Sequence, residues 1–231
     1  MEKKEETEKT YDATKFERPS VTVDIIIFTI KNDDLQVLLV KRGEWPFKGR
    51  WAMPGGFVKM KESLDEAAVR ELKEETGVEN VYLEQLFSFG APKRDPRTRV
   101  ITVAYFALIP YEKLKLKATA DVVDVNWFSM YDLPELGFDH KEILDYALQR
   151  LRYKLEYTNA VANMLPDKFT LTELQRVYEI ILDRKLDKRN FRKKILSLNM
   201  LKKTAEKRTG AFRPAQLYSF KSKEMKIVEI I

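Results

Sequence analysis

The first clear pattern in the chain is a continuous apolar run at residues 21–30 (VTVDIIIFTI), which reads as a strand buried on both faces. The polar turn KNDD follows, and a second apolar run at 35–40 returns as its neighbour. Residues 51–58 and 81–89 read as further strands, as do 100–109 and 122–128. Between 64 and 76 the period changes to that of a helix. Ser63 and Glu66 form an S-x-x-E capping box, and Gly77 suits a left-handed stop. Leu64, Ala68, Val69 and Leu72 then share one side. Residues 140–153 repeat the helical pattern through Ile143, Leu144, Ala147 and Leu151. Strands before and after the first helix, with a second helix closing the unit, predict a layered α/β domain over 19–154.

A different pattern follows. Residues 155–166 read as a linker. Leu171, Leu174, Val177, Tyr178 and Ile181 fall on one face of a helix. After a break at 183–186, a second helix capped by Asp187 carries Phe191, Ile195 and Leu198. Two short strands, 201–204 and 216–220, flank a basic tip with a Thr209-Gly210 turn. Helix, turn, basic helix and basic hairpin outline a small winged helix-turn-helix domain over 167–224. Residues 1–18 are charged and almost without apolar content, the mark of a flexible lead.

Charge sharpens this division. The net charge of +6 is the sum of an acidic front and a basic back: residues 166–231 hold 17 Lys/Arg against 8 Asp/Glu. In the second helix, Lys188, Arg189, Arg192 and Lys193 are candidates to enter a DNA groove, and Lys207 and Arg208 at the wing are candidates for phosphate or minor-groove contact. The competing reading is a solvated charged face. The chain has no cysteine, which excludes disulfides, thiolate zinc and cysteine nucleophiles. It also shows no signal-like leader and no apolar run of about 18 residues. A cytoplasmic protein with no membrane partner is the expectation.

The candidate chemistry lies in the first helix. Glu71, Glu74 and Glu75 gather on adjoining turns, where like charges repel; either something positive sits there or they form an ordinary solvated helix face with i, i+4 partners. Carboxylate oxygens without Cys or neighbouring His favour Mg²⁺, or Mn²⁺, over Zn²⁺. That points to metal-assisted attack of water on a phosphate ester or anhydride. The spacing extends further: Gly56, five residues, Glu62, seven residues, then Arg70-Glu71-Leu72-x-Glu74-Glu75-x-Gly77-Val78. Every position matches the Nudix box, G-x5-E-x7-REU-x-EE-x-GU with U aliphatic. The chain resembles Nudix hydrolases, which as a family cleave a nucleoside diphosphate linked to another moiety, and it implies their α/β/α sandwich built on a mixed sheet.

With the basic C-terminal segment, the chain is similar to a narrower group. These are Nudix-related transcriptional regulators of bacterial NAD and sugar metabolism, in which the Nudix domain senses a ligand and a winged helix binds double-stranded operator DNA as a homodimer. The resemblance implies that Glu74 and Glu75 bind the metal, with the Gly56 carbonyl as a further oxygen. It makes Glu71 a metal ligand or the base, oriented by Arg70. It implies a Mg²⁺-dependent hydrolase of an ADP-ribose-like nucleotide diphosphate fused to the winged helix; the alternative is a regulator that senses ADP-ribose or a sugar metabolite without physiological hydrolysis. Regulators of this group often carry eroded boxes; this box is intact. Arg94 and Arg97, in a basic turn after the box, are candidates to clamp the diphosphate; the alternative is that they pair with local carboxylates. Trp45, Phe47 and Tyr105 are candidate adenine stackers or plain packing residues. His140 reads as a helix-start or core residue rather than a catalyst.

Overall fold

The computed structural model describes residues 12–77, 81–111, 122–209 and 214–228; residues 1–11 of the lead expected to be flexible, Val78 of the box and Gly210 of the wing turn lie outside them. The long apolar run forms β1 (Ser20–Lys31), which lies between β2 (Asp34–Arg42), antiparallel to it, and β6 (Val100–Leu108), parallel to it. The sheet runs β3-β2-β1-β6-β5, with β3 at Trp51–Ala52 and β5 at Tyr82–Phe89. β4 (Gly55–Phe57) pairs with β1, and β7 (Val122–Ser129) with β2. The single strand expected over 51–58 is thus two, because Pro54 has no N–H to keep one ladder running.

Both faces of this mixed sheet are covered, which explains the unbroken apolar run in β1. Val23, with Val103 and Tyr105 of β6, packs under Ala67 and Ala68 of helix α1 (Leu64–Thr76). Ile26 and Phe28 face the opposite way, toward Ile143, Leu144, Ala147 and Leu151 of α2 (His140–Tyr157). Val69 does not join the buried stripe of α1; it is 53% exposed, and Ala67 takes the flank next to the sheet. One residue is 100° of helix, enough to carry the wider side chain off the contact.

The second unit contains α3 (Leu171–Leu182), α4 (Lys188–Ser197) and a three-stranded sheet, β8-β10-β9, with β8 at Phe169–Thr170, β9 at Leu201–Arg208 and β10 at Ala215–Phe220. β8 was not expected, since two residues carry no period. β9 runs four residues longer than its pattern suggests, because KKTAEKR offers no apolar alternation to announce a strand.

Residues 155–166 are not an open linker. Leu155 ends the buried face of α2, a 3-10 turn at Ala160–Asn163 follows, and Val161, Met164 and Leu165 are buried. They join one apolar core with Ile143 and Leu151 on one side and Phe169, Leu174, Tyr178 and Ile181 on the other. Polar contacts reinforce the join. Tyr131 Oη donates to Ile180 O (2.7 Å) and Arg152 Nε to Ile181 O (2.8 Å), covering carbonyls at the end of α3 that have no helical partner. Arg176 pairs with Asp33 of the β1–β2 turn at 3.2 Å.

The chain then returns to this junction. Buried Asn159 donates from Nδ2 to Glu224 O (2.9 Å), and its Oδ1 accepts from Lys226 N–H (2.6 Å). Asn159→Ala would leave those backbone groups without their side-chain partner. It is expected to lower stability by about 1–3 kcal/mol, read from urea denaturation; an unchanged midpoint would show the return segment contributes nothing.

Candidate functional site

A cleft of about 590 Å³ opens between α1 and the start of α2, floored by Thr22 and Asp24 of β1 and reached by Arg42 at the end of β2. Its acidic wall is set by local chemistry. Ser63 Oγ accepts from Glu66 N–H and Glu66 returns the bond to Ser63 N–H, so the capping box starts α1; Gly77 ends it at φ 68°. Within this frame Arg70 holds three carboxylates. Its Nε and Nη2 form a fork on Glu62 (2.9 and 2.6 Å), and Nη1 reaches Glu71 Oε1 (2.6 Å) and Glu74 Oε2 (3.0 Å). Part of the positive charge that the glutamates require is therefore supplied by the chain itself. These bonds, with one from Lys59 N–H, hold the Glu62 carboxyl down to about 2. Burial acts the other way on Glu71 and pushes its carboxyl above the ordinary value, against Arg70.

Gly56 closes over Glu71. A Cβ at this position would overlap Glu71 Oε1, so the backbone of β4 approaches the carboxylate as only glycine allows. Glu74 is exposed, and Glu75, half-buried, lines the cleft.

The other wall is a basic and aromatic corner. Arg94 is buried and makes a fork on Asp139 (2.8 and 2.7 Å) with a further bond to Asp24 (3.3 Å). Arg97 bonds Asp95 through Nε (3.0 Å) and Nη2 (2.7 Å). Both line the cleft, but both are paired with carboxylates, which is the alternative the sequence left open. Phe138 stands between guanidinium groups, 5.0 Å from Arg42 and 5.7 Å from Arg97, with its backbone at φ 52°. A bulky residue in that region costs about 1–3 kcal/mol and is held by its surroundings.

His140 starts α2, as expected, and is also part of this site. Its Nδ1 accepts from Met53 N–H (2.9 Å), just before Pro54-Gly55-Gly56. Burial lowers its pKa below 6.5, against the pull of Asp24 and Asp139, so the ring is neutral at pH 7. The unfolded state binds this proton more readily, so stability rises with pH as the pH passes upward through about 6.5 and falls as it drops below. Thermal melts should show this slope below pH 6.5 in the wild type and a shallower one in His140→Asn; equal slopes would refute it.

The candidate stackers divide. Tyr105 is buried beneath α1 with its hydroxyl on Asp65 (2.6 Å), so it is a packing residue. Trp45 is 69% exposed, and Phe47 packs edge-on against Phe138 (4.8 Å). Arg42, Asp24 and Phe138 were missed, for no spacing in the sequence marks them.

In the second unit, Phe191 and Ile195 turn inward from α4, and Lys188, Arg189 and Lys193 are exposed. Arg192 is half-buried and donates to Thr172 Oγ1 (3.0 Å). Lys207 and Arg208 are exposed on β9, and Arg208 pairs with Glu173. The basic helix and the basic hairpin are thus both present, each anchored by its apolar or capped side.

Residues 20–147 match the model of the NUDIX domain, and residues 161–220 that of the NrtR DNA-binding winged helix domain. The chain belongs to the Nudix family, in the branch that carries this winged helix. It is 39% identical over 214 residues to the ADPR responsive transcriptional repressor NtrR of Acinetobacter baylyi, a match covering 91% of this chain and 85% of that protein. It is 42% identical over 129 residues to the ADP-ribose pyrophosphatase of Methanocaldococcus jannaschii, covering 55% of this chain and 73% of the other. Among solved structures, Shewanella oneidensis NrtR complexed with a 27mer DNA superposes with a TM-score of 0.79 at 38% identity, covering 87% of this chain and 93% of that one.

Nudix hydrolases use a divalent metal, and the donor chemistry of this Nudix helix fits one. Glu71, Glu74, Glu75 and the Gly56 backbone offer only oxygens, and the seat above Glu71 is kept clear of any Cβ. Among the described residues no three acidic or histidine side chains stand together as a finished cage. Among those residues, too, no helix is long and apolar enough to cross a membrane.

Proposed function

We propose that this Nudix protein binds ADP-ribose in the cleft and couples its occupancy to operator binding by α4 and the β9–β10 wing. The observation that carries this reading is the shared core: the floor of the Nudix domain and the face behind the basic helix are one apolar body. The full-length likeness to a repressor responsive to this ligand supports it. Homodimers reading paired half-sites are the expected form.

The cleft also supports hydrolysis of the diphosphate. Glu74, Glu75, Glu71 and the Gly56 carbonyl would hold Mg²⁺ or Mn²⁺. The ion, when bound, supplies charge neutralisation at the phosphates and activation of water. Arg70 fixes the direction of Glu71, and Glu71, raised by burial, is suited to take a proton from the attacking water. Phe138 and the buried Arg94–Asp139 pair shape the opposite wall.

The deciding experiment combines two measurements on the full chain. A duplex enriched from a random pool is titrated with protein, with and without ADP-ribose, and AMP release is followed in Mg²⁺. Release of DNA by ADP-ribose, with turnover well below the usual range of about 1–10³ s⁻¹, supports the regulator. Turnover within that range with no effect on DNA makes hydrolysis the function.

A further inference from the structure

We infer that Arg42, rather than Arg94, is the cation that receives the pyrophosphate of the bound nucleotide. Three arginines line the cleft, and their partners distinguish them. Arg94 is neutralised by Asp139 and Asp24, and Arg97 by Asp95. Arg42 is half-buried and, among the described residues, has no carboxylate within ion-pair reach. The one hydrogen bond its side chain makes there runs from Nε to Pro46 O (2.6 Å), which orients the guanidinium and leaves both Nη groups as donors. Phe138 supports the group 5.0 Å away.

A half-buried charge without a counter-ion is costly in the free protein. Here burial, and then the neighbouring charge of Arg97, press the Arg42 pKa downward, while Asp95 and Glu44 pull less strongly the other way. An anion bound on the free Nη groups of Arg42 would relieve both effects at once. A fork with two free Nη groups matches two phosphate oxygens better than a lysine could. The cleft therefore presents carboxylates for a cation at one wall and a guanidinium outside any contact ion pair for an anion at the other, the arrangement a nucleoside diphosphate with its metal requires. This rests on the nucleotide-binding reading above and specifies the residue that grips the diphosphate.

The test is calorimetric titration of the full chain with ADP-ribose and, separately, with inorganic pyrophosphate, both in Mg²⁺. Arg42→Gln is expected to weaken both by about 10- to 100-fold, and Arg42→Lys to lose less. Wild-type affinity for pyrophosphate in a folded Arg42→Gln overturns the assignment. Wild-type protein that binds pyrophosphate but not ADP-ribose, with the loss in Arg42→Gln intact, overturns the ADP-ribose reading and leaves Arg42 as the anion site. Binding of neither ligand by the wild type overturns both. Should the variant fail to fold, the wild type carries the test: pyrophosphate should shield Arg42 from phenylglyoxal, as read by mass spectrometry of its peptide, and undiminished modification counts against the proposal.

Discussion

Glu75→Gln is expected to lower ADP-ribose hydrolysis by about a thousandfold or more while the protein remains folded. The side chain keeps its size and loses the charge that would hold the divalent ion, and metal stabilisation of phosphoryl transfer supplies several kcal/mol. Glu71 and Glu74 both bond Arg70, so altering either also disturbs the clamp on Glu62. The measurement is AMP release against Mg²⁺ concentration, with a thermal melt as control for folding. The same variant should also lose the Mg²⁺ dependence of ADP-ribose binding, which reads the metal role even where turnover is slow. Turnover and Mg²⁺ dependence both at wild-type level would remove Glu75 from the ligand set.

The second large effect is on DNA. Arg189→Ala combined with Arg192→Ala should weaken operator binding about a hundredfold or more, since single specific interactions contribute about 1–3 kcal/mol. For every phosphate that no longer meets a cation, the slope of log K against log salt should also fall by about 0.9. The two arginines differ in setting. Arg189 is exposed, whereas Arg192 is braced on Thr172 at the start of α3 and so presents a pre-set orientation. Fluorescence anisotropy at several salt concentrations gives affinity and slope together. An unchanged slope would mean that α4 is only a solvated charged face.

What was legible in the sequence was whatever is fixed by neighbours along the chain. Ser63 with Glu66 is a capping box in the structure because it needs only three residues of helix to form. The left-handed stop at Gly77 and the cap at Asp187 are equally local. The box told that Glu71, Glu74 and Glu75 share one wall of the cleft for the same reason: a single helix carries all three. The corner opposite was not legible. It brings Asp24, Arg42, Arg94 and Phe138 together from four distant segments, and no spacing records that meeting. Tyr105 failed as a stacker because its place in β6, two residues from Val103, turns it under α1. The segment at 155–166 misled because its small and apolar residues show no period, although burial between the two units is what they are suited to.

The middle of the sheet has a consequence for how the molecule reaches this state. β1 and β6 lie side by side and parallel, with Ser20 against Val100, eighty residues apart in the chain. Such a pairing must close a long loop before any packing energy offsets the entropy of closure, and proteins dominated by non-local pairs refold in milliseconds to seconds rather than microseconds. The pairings within α3, α4 and their small sheet span far fewer residues. Refolding should therefore be gated by the central strands, with the DNA-binding unit, though last in the chain, free to form its local turns first.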